Sequence, residues 1–171
     1  MNSARHRDIT IQCPFCGMSA GTATGLVHHI ERGCCSEYRM SRMCLYDAVR
    51  DYDYEELVSH YPLSGRGCDD YDPVFQPSST SWNPIKQAFQ CFICHRSFRN
   101  LSSLGRHLNS PTHLQSLYHC PKDTCPRQFA TLAGLTNHLE SESCGYMRFS
   151  DVQECMRLIT NPSRWLSELL R

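Results

Sequence analysis

One spacing of cysteines and histidines recurs three times in this chain of 171 residues. In the central copy, Cys91 and Cys94 are followed by twelve residues and then His107, with His113 after five more. The copies on either side keep the same twelve-residue gap. Cysteines on a hairpin and later ligands on a helix close a tetrahedral zinc site. The pattern therefore predicts three zinc-binding fingers.

The predicted ligands form three sets of four, and each set is expected to bind one zinc ion. They are Cys13, Cys16, His29 and Cys35 in finger one; Cys91, Cys94, His107 and His113 in finger two; and Cys120, Cys125, His138 and Cys144 in finger three. Because protein fills all four positions, no site keeps an open position for a substrate, which indicates structural zinc. With no nucleophile–base arrangement and no phosphate-binding loop in the sequence, we do not expect an enzyme.

The last ligand of finger one has two candidates, because helix spacing after His29 permits either Cys34 or Cys35. Aligning residues 28–35 with residues 137–144 of finger three places Cys35 opposite Cys144. This internal repeat favours Cys35 and keeps Cys34 as the alternate ligand.

Apolar positions inside the twelve-residue gaps predict the fold class. A core pair is expected four residues after the second cysteine and three before the histidine. The pairs are Ala20 and Leu26 in finger one, Phe98 and Leu104 in finger two, and Phe129 and Leu135 in finger three. We predict a small, metal-stabilised α+β protein of three ββα-type fingers with accessory helices, the first and third finger having Cys as last ligand. Finger one, which lacks the aromatic residue, is expected to be the least stable.

Composition along the chain predicts four segments. Finger one with following helices spans 11–61, a Pro-, Ser- and Gly-rich linker 62–86, finger two 87–118, and finger three with C-terminal helices 119–171. Helices are expected at 41–51, 54–60 and 149–159, and a last one after Asn161-Pro162. Fingers two and three are close in sequence and are expected to pack as a unit, and the apolar C-terminal helices could bind a protein partner.

Charge and cysteine content bound the location and the partners. Residues 1–85 hold seven Arg against eleven Asp or Glu, about −4, whereas residues 86–148 hold seven Lys or Arg against three Asp or Glu, about +4. No apolar run approaches a membrane span and the start lacks a secretory signal. We expect no membrane association and an intracellular protein, nuclear in preference to cytoplasmic. Free thiols are expected at the other cysteines, Cys34, Cys44, Cys68 and Cys155.

Three segments carry a resemblance to a group of small fungal multi-zinc-finger proteins: CPFCGMSAGTATGLVHHIERG, FQCFICHRSFRNLSSLGRHLNSPTH and YHCPKDTCPRQFATLAGLTNHLESESCGYMRFSDVQ. They cover roughly residues 11–35 and 88–153. The resemblance implies three ββα-type zinc sites in a nuclear or cytosolic protein and brings no known ligand. The HLNSPTH turn of finger two is also similar to U1-like and matrin-type fingers, which have five residues between the histidines and often bind RNA.

Helix positions −1, 3 and 6 are those with which a finger reads bases. They are Thr22, Gly25 and His28 in finger one, Asn100, Ser103 and Arg106 in finger two, and Thr131, Gly134 and Asn137 in finger three. Glycine at position 3 has no side chain to reach a base edge, and no linker of the type that joins groove-following fingers is present. A three-finger array that reads DNA sequence is therefore poorly supported.

The main hypothesis is nucleic-acid binding, to RNA or DNA, by fingers two and three. Its candidate contact residues are Arg96, Arg99, Asn100, Arg106 and Lys122. Two alternatives stay open: a protein-interaction scaffold with purely structural zinc, and a transcription regulator that acts with a partner.

Overall fold

The computed structural model describes residues 10–60 and 75–159, and the chain divides into two units. Residues 10–60 and 116–159 form the first unit, and residues 75–115 form the second. Finger one therefore shares a unit with finger three, and the expectation that fingers two and three pack together is wrong. The predicted α+β class with three ββα fingers is confirmed.

Finger one begins with a hairpin of β1 (Ile11–Gln12) and β2 (Ser19–Ala20), in which Ile11 lies opposite Ala20. Helix α1 (Ala23–Glu31) follows, and the Thr22 hydroxyl caps it by accepting the Gly25 N–H at 3.0 Å. Leu26 is fully buried, as its predicted core position requires.

Helix α2 (Arg42–Arg50) lies after finger one and has Ser41 as its N-cap, in agreement with the prediction for 41–51. The predicted helix at 54–60 is absent. The Asp53 carboxylate instead accepts the backbone N–H groups of residues 57–59, at 2.7 to 3.1 Å. Such a side chain competes with helical hydrogen bonding, so the segment forms a turn that leads into a bridge between Ser59 and Tyr118.

Finger two has three strands, because β3 (Trp82–Asn83) extends the hairpin of β4 (Ala88–Gln90) and β5 (Ser97–Phe98). Helix α3 (Leu101–Leu108) packs against this sheet. Strand β3 lies in the stretch 62–86 that was predicted as linker. From Phe75 onwards that stretch belongs to finger two, whereas 61–74 are outside the described residues.

Finger three repeats the plan of finger one. Strands β6 (Tyr118–His119) and β7 (Gln128–Phe129) form the hairpin, and helix α4 (Leu132–Glu140) follows. Helix α5 (Phe149–Ile159) confirms the predicted element, and it begins at Phe149, whose N–H donates to Glu142 Oε1 at 2.7 Å. The helix predicted after Asn161-Pro162 is outside the described residues.

Helices α1 and α4 hold fingers one and three together. Their facing apolar side chains belong to one cluster, which also includes Val152 of α5. The members on α1 and α4 are Ala23, Leu26, Val27, Ile30, Leu132, Ala133 and Leu139. Because these residues come from two fingers, each finger completes the small core of the other.

Two glutamates join the same helices reciprocally. The carboxylate of Glu31, at the end of α1, accepts the N–H groups of Leu132 and Ala133 at the start of α4, at 2.9 and 3.1 Å. The carboxylate of Glu140, at the end of α4, accepts the N–H and hydroxyl of Thr24 at 3.1 and 2.6 Å. The helices are thus antiparallel, and each positive N-terminus meets a negative charge from the other finger.

Helix α5 completes this polar contact. Gln153 is buried, its Oε1 accepts the Ala23 N–H at 2.8 Å and its Nε2 donates to Glu140 at 2.5 Å. The face of α5 that carries Gln153 therefore packs within its own unit. Among the described residues, no helix combines the length and the apolar character that a membrane crossing requires.

Candidate metal centres and nucleic-acid interface

Three groups of four cysteine and histidine side chains come together, and the ligand atoms within each group lie within 4.8 Å of one another. The groups are Cys13, Cys16, His29 and Cys35; Cys91, Cys94, His107 and His113; and Cys120, Cys125, His138 and Cys144. Tetrahedral zinc at ordinary bond lengths would separate its ligand atoms by about 3.3 to 3.8 Å. Observed separations include 3.9 Å for Cys13 to Cys35 and 3.2 Å for Cys94 to His107. The expectation of three structural zinc ions is confirmed.

Tight knuckles present the first two cysteines of fingers one and two. In finger one the Cys13 N–H donates to Met18 at 2.8 Å, and Gly17 takes a φ of +70°. In finger two the Cys91 N–H donates to Arg96 at 2.9 Å, and His95 takes a φ of +58°. The residue after the second cysteine therefore turns the chain in the left-handed region, which glycine adopts without the steric cost that histidine has.

The structure places Cys35 in the finger-one group and leaves Cys34 outside it. Cys35 is buried, whereas Cys34 is exposed. Gly33, with a φ of +64°, follows the end of α1 and turns the chain so that the later cysteine points back to the other ligands.

The other cysteines differ from one another. Cys34 and Cys155 are free and exposed, in line with the expectation of free thiols. Cys44 takes part in a disulfide bond, so its assignment as a free thiol is wrong. Cys68 is outside the described residues.

Burial and hydrogen bonding prepare the ligands unequally. Burial lowers the pKa of His107 and His138, which favours the neutral imidazole that binds a metal. The backbone N–H of Met18 lowers the pKa of Cys16, and that of Arg127 lowers the pKa of Cys125. In contrast, burial raises the pKa of Cys120 to about 11, so zinc must drive the loss of that proton.

Side chains outside the ligand sets orient the histidines. The Ser143 hydroxyl and an Arg127 guanidinium nitrogen both lie 3.3 Å from Nδ1 of His138. When Nε2 binds the metal, Nδ1 carries the proton, and only the hydroxyl can accept that N–H because a guanidinium has no acceptor. The predicted core aromatics lie over the histidine ligands, with Phe98 at 4.7 Å from His107 and Phe129 at 5.2 Å from His138 between ring centroids. Their contribution therefore includes the orientation of the imidazoles. Ser143 was missed because a serine near a cysteine carries no distinct signal.

Basic side chains are concentrated in finger two. Its described residues, 75–115, contain no Asp or Glu and four cations, Lys86, Arg96, Arg99 and Arg106, all exposed. The candidate Asn100 is the N-cap of α3, where its Oδ1 accepts the Ser103 N–H at 2.8 Å. Its carbonyl oxygen is therefore occupied within the finger.

Lys122, the remaining candidate, lies in finger three and is half-buried. Its ammonium donates to the backbone oxygen of Cys144. This contact ties the knuckle to the turn that carries the last ligand, a role that the sequence did not indicate.

The unit of fingers one and three has the opposite charge. Its described residues hold eight Lys or Arg and twelve Asp or Glu. Each of its metal groups has three cysteines and one histidine, so zinc loading leaves about one further negative charge at each. The two-cysteine, two-histidine group of finger two is neutral when loaded. The charge difference between the units therefore grows when zinc binds.

The start of the helix also differs between fingers. The first N–H groups of α1 and α4 are bonded to Glu140, Gln153 and Glu31. In finger two, the N–H groups of Leu101 and Ser102 have no hydrogen-bond partner among residues 10–60 and 75–159. A helix start of this kind is suited to a phosphate, whereas one occupied by a carboxylate is not.

Comparison with known proteins gives one family match and two similar proteins. The family model for the C2H2-type zinc finger matches residues 89–113, which is finger two. The P43 5S RNA-binding protein of Xenopus laevis is 27% identical over 90 residues, 49% of this chain and 25% of that protein. Its namesake in Xenopus borealis is 30% identical over 81 residues, 46% of this chain and 22% of that protein. The chain thus matches about a quarter of the length of these curated relatives, and no solved structure matches it.

Proposed function

We propose that this chain is a zinc-binding, non-enzymatic RNA-binding protein in which finger two contacts RNA and fingers one and three form a structural unit. The observation that carries the proposal is the separation of charge between the two units. Four exposed cations without any carboxylate occupy residues 75–115, whereas the other unit is acidic. Contacts from Lys and Arg to phosphates supply most of the affinity of a nucleic-acid-binding module.

Fingers one and three are less suited to a nucleic acid. Glu31 and Glu140 occupy the helix starts that would otherwise face a phosphate. Gly25 and Gly134 offer no side chain at position 3. The proposal therefore narrows the predicted interface from two fingers to finger two, with Arg96, Arg99, Arg106 and Lys86 as contacts, and omits the candidates Asn100 and Lys122.

RNA is preferred over DNA for two reasons. The names of the relatives in both Xenopus species describe binding of 5S RNA. In addition, His107 and His113 have the five-residue spacing of the finger types that finger two resembles. Double-stranded RNA is recognised largely through its shape and its phosphates, which does not require a set of base-reading side chains in every finger.

The twelve grouped cysteines and histidines are the zinc ligands in this proposal, with Cys35 rather than Cys34 in finger one. Each ion holds a knuckle against a helix and so supplies folding free energy instead of chemistry. The fungal family and the nuclear location remain predictions.

A protein-interaction role is the second candidate, and it applies to the unit of fingers one and three. The observation in its favour is that this acidic unit exposes Tyr38, Tyr54 and Tyr146. Aromatic side chains are enriched in protein interfaces. If a variant that no longer binds RNA still bound a basic protein, that result would support a protein-interaction role for the acidic unit.

Binding to RNA across a salt series tests the main proposal. The zinc-loaded chain should bind RNA, with an affinity that falls steeply as salt rises. The triple variant Arg96→Ala, Arg99→Ala, Arg106→Ala should bind more weakly. If each arginine meets one phosphate, the slope of log K against log salt should become shallower by about 2 to 3.

A matched control removes three exposed arginines from the other unit: Arg32→Ala, Arg39→Ala, Arg148→Ala. The loss of net charge is the same, so finger two is implicated only if the control keeps its slope. An equal loss in both variants would contradict the assignment to finger two, and a wild-type chain that binds no RNA would contradict the function.

A further inference from the structure

The zinc knuckle of finger two exposes apolar side chains that the fold does not use. Phe92 and Ile93, which lie between the two cysteines, are 62% and 45% exposed. Burying an aromatic ring is favourable, so a large ring left in water at a rigid position suggests a binding role. Single exposed apolar residues are common, however, so the surroundings of these two side chains decide whether they form a binding site.

The knuckles of the other fingers show that the exposure is specific to finger two. In finger one, the ring of Phe15 stacks on Tyr38 at 4.7 Å and 17°, and it packs against the apolar cluster of its unit. In finger three, residues 121–124 contain no aromatic side chain. Among the described residues, finger two is therefore the finger whose knuckle has a largely exposed aromatic side chain.

Phe92 is held at a defined position. The ligands Cys91 and Cys94 flank the pair, and the knuckle is closed by the Cys91 N–H to Arg96 and the His95 N–H to Cys91, both at 2.9 Å. Phe75 meets Phe92 in a T-shaped contact with centroids 6.1 Å apart. A ring that is already ordered loses little conformational entropy when a flat partner stacks on it.

The charges of the same knuckle and finger indicate the kind of partner. Arg96 lies in the same knuckle and is exposed, Arg99 follows strand β5, and no Asp or Glu occurs from Phe75 to Gln115. An aromatic face beside cations, without a carboxylate, suits a flat base joined to a phosphate. A basic peptide would be repelled by these cations, and the carboxylates of an acidic peptide would meet the cations but not the negative face of the ring.

We propose that the knuckle Cys91–Arg96 is a stacking site for an unpaired RNA base, with Phe92 as the platform and Arg96 at the adjoining phosphate. The inference rests on the proposed function and specifies its substrate class: RNA that carries unpaired bases next to, or instead of, a duplex. Bases in a paired helix are stacked on each other and cannot reach the ring, whereas bulges, loops and single strands can supply one.

The test uses the full zinc-loaded chain with short single-stranded oligouridine RNA and with a fully paired RNA duplex of the same length. Phe92→Leu keeps an apolar side chain but removes the aromatic face, and Phe92→Trp keeps the face. Phe92→Leu should weaken binding to the single strand about tenfold and leave duplex binding unchanged, and Phe92→Trp should bind the single strand as the wild type does. Ile85→Ala is the control, because Ile85 is 93% exposed in the β3–β4 turn, at the other end of the sheet.

Each outcome separates this inference from the function on which it rests. Equal single-strand binding by the wild type and Phe92→Leu would overturn the stacking site while RNA binding stands. An equal loss for strand and duplex, or an equal loss in Ile85→Ala, would also overturn it. Absence of RNA binding by the wild type would remove the proposed function itself. Three zinc ions per chain in each variant would show that the fingers are intact.

Discussion

Fingers one and three cover one face of their helices with each other, whereas finger two covers the corresponding face with its own preceding segment. The residue two positions after the first histidine ligand is Glu31 in finger one and Glu140 in finger three, and each binds the other finger's helix start. In finger two this residue is Asn109. Its Oδ1 accepts the Phe75 N–H and its Nδ2 donates to the Phe75 oxygen, both at 2.8 Å.

A second helix position shows the same contrast. Val27 and Thr136 are buried in the unit of fingers one and three, and the equivalent residue of finger two is Gly105. A Cβ at Gly105 would lie 3.1 Å from Pro77 Cγ, so the segment that precedes the sheet passes directly over the helix. Three fingers that share the twelve- and five-residue gaps between ligands therefore differ in assembly, and two side-chain positions on the helix follow that difference.

Loss of a metal ligand should produce the largest difference between the units. Cys91→Ser should release one zinc and unfold finger two alone, because structural zinc contributes about 10 to 16 kcal/mol of binding free energy. Cys125→Ser should also release one zinc, but it should destabilise finger one as well, since the two fingers share a core. Zinc content measures the loss of the ion, and the hydrogen-exchange rates of the α1 amides measure the destabilisation of finger one.

Cys155→Ser is the control for both variants, because that thiol is exposed and lies outside the metal groups. It should keep three zinc ions and wild-type exchange rates. Protection of α1 that stays at the wild-type level in Cys125→Ser would contradict a shared folding unit.

Removal of a reciprocal cap should have an intermediate effect. Glu140→Ala leaves the Thr24 N–H and hydroxyl and the Gln153 amide without their shared acceptor. An unsatisfied, partly buried polar group costs about 1 to 3 kcal/mol, so the unfolding free energy of this unit should fall by that order. Denaturant titration measures the loss, and finger two should not change.

Glu154→Ala provides a matched removal of a carboxylate. Glu154 is exposed and pairs with Arg157 at 3.7 Å on the same helix, which contributes at most about 0.5 kcal/mol. If both variants lost the same stability, the reciprocal caps would not explain why fingers one and three pair.

The smallest expected effect concerns two helix glycines that have different surroundings. Gly25→Ala should stabilise finger one by about 0.5 to 1 kcal/mol, because alanine favours a helix and the added Cβ meets ordinary contacts at 3.4 and 3.6 Å. Gly105→Ala should gain less or lose stability, since the contact with Pro77 must give way. Denaturation curves of the two variants measure the difference.

A double variant, Gly105→Ala with Pro77→Ala, tests the cause. The shorter side chain at position 77 should restore part of the helical gain if the close contact limits it. An equal gain for Gly25→Ala and Gly105→Ala would show that the preceding segment does not constrain the helix.

The metal sites could be predicted from the sequence because the ligands of each site are close together in the chain. Two knuckle cysteines and two ligands at or beyond a helix end lie within about 25 residues, and the geometry of one hairpin and one helix brings them together. The repeat also favoured Cys35, which the structure groups with Cys13, Cys16 and His29, since finger three has a similar turn after α4. The N-cap contacts of Thr22, Ser41 and Thr131, which the structure shows, are local in the same way.

Only the tertiary structure decided which fingers pair, because that depends on contacts between residues far apart in the chain. Glu31 meets Leu132 and Ala133, and Glu140 meets Thr24, across more than 100 positions. A surface glutamate at the end of a helix has no sequence signal for such a partner, and the short spacer between fingers two and three favoured the wrong pair. The sequence alone determined what each finger binds, because ligand spacing is a property of one hairpin and one helix; the tertiary structure decided which helix faces are covered and which finger keeps an open, basic surface.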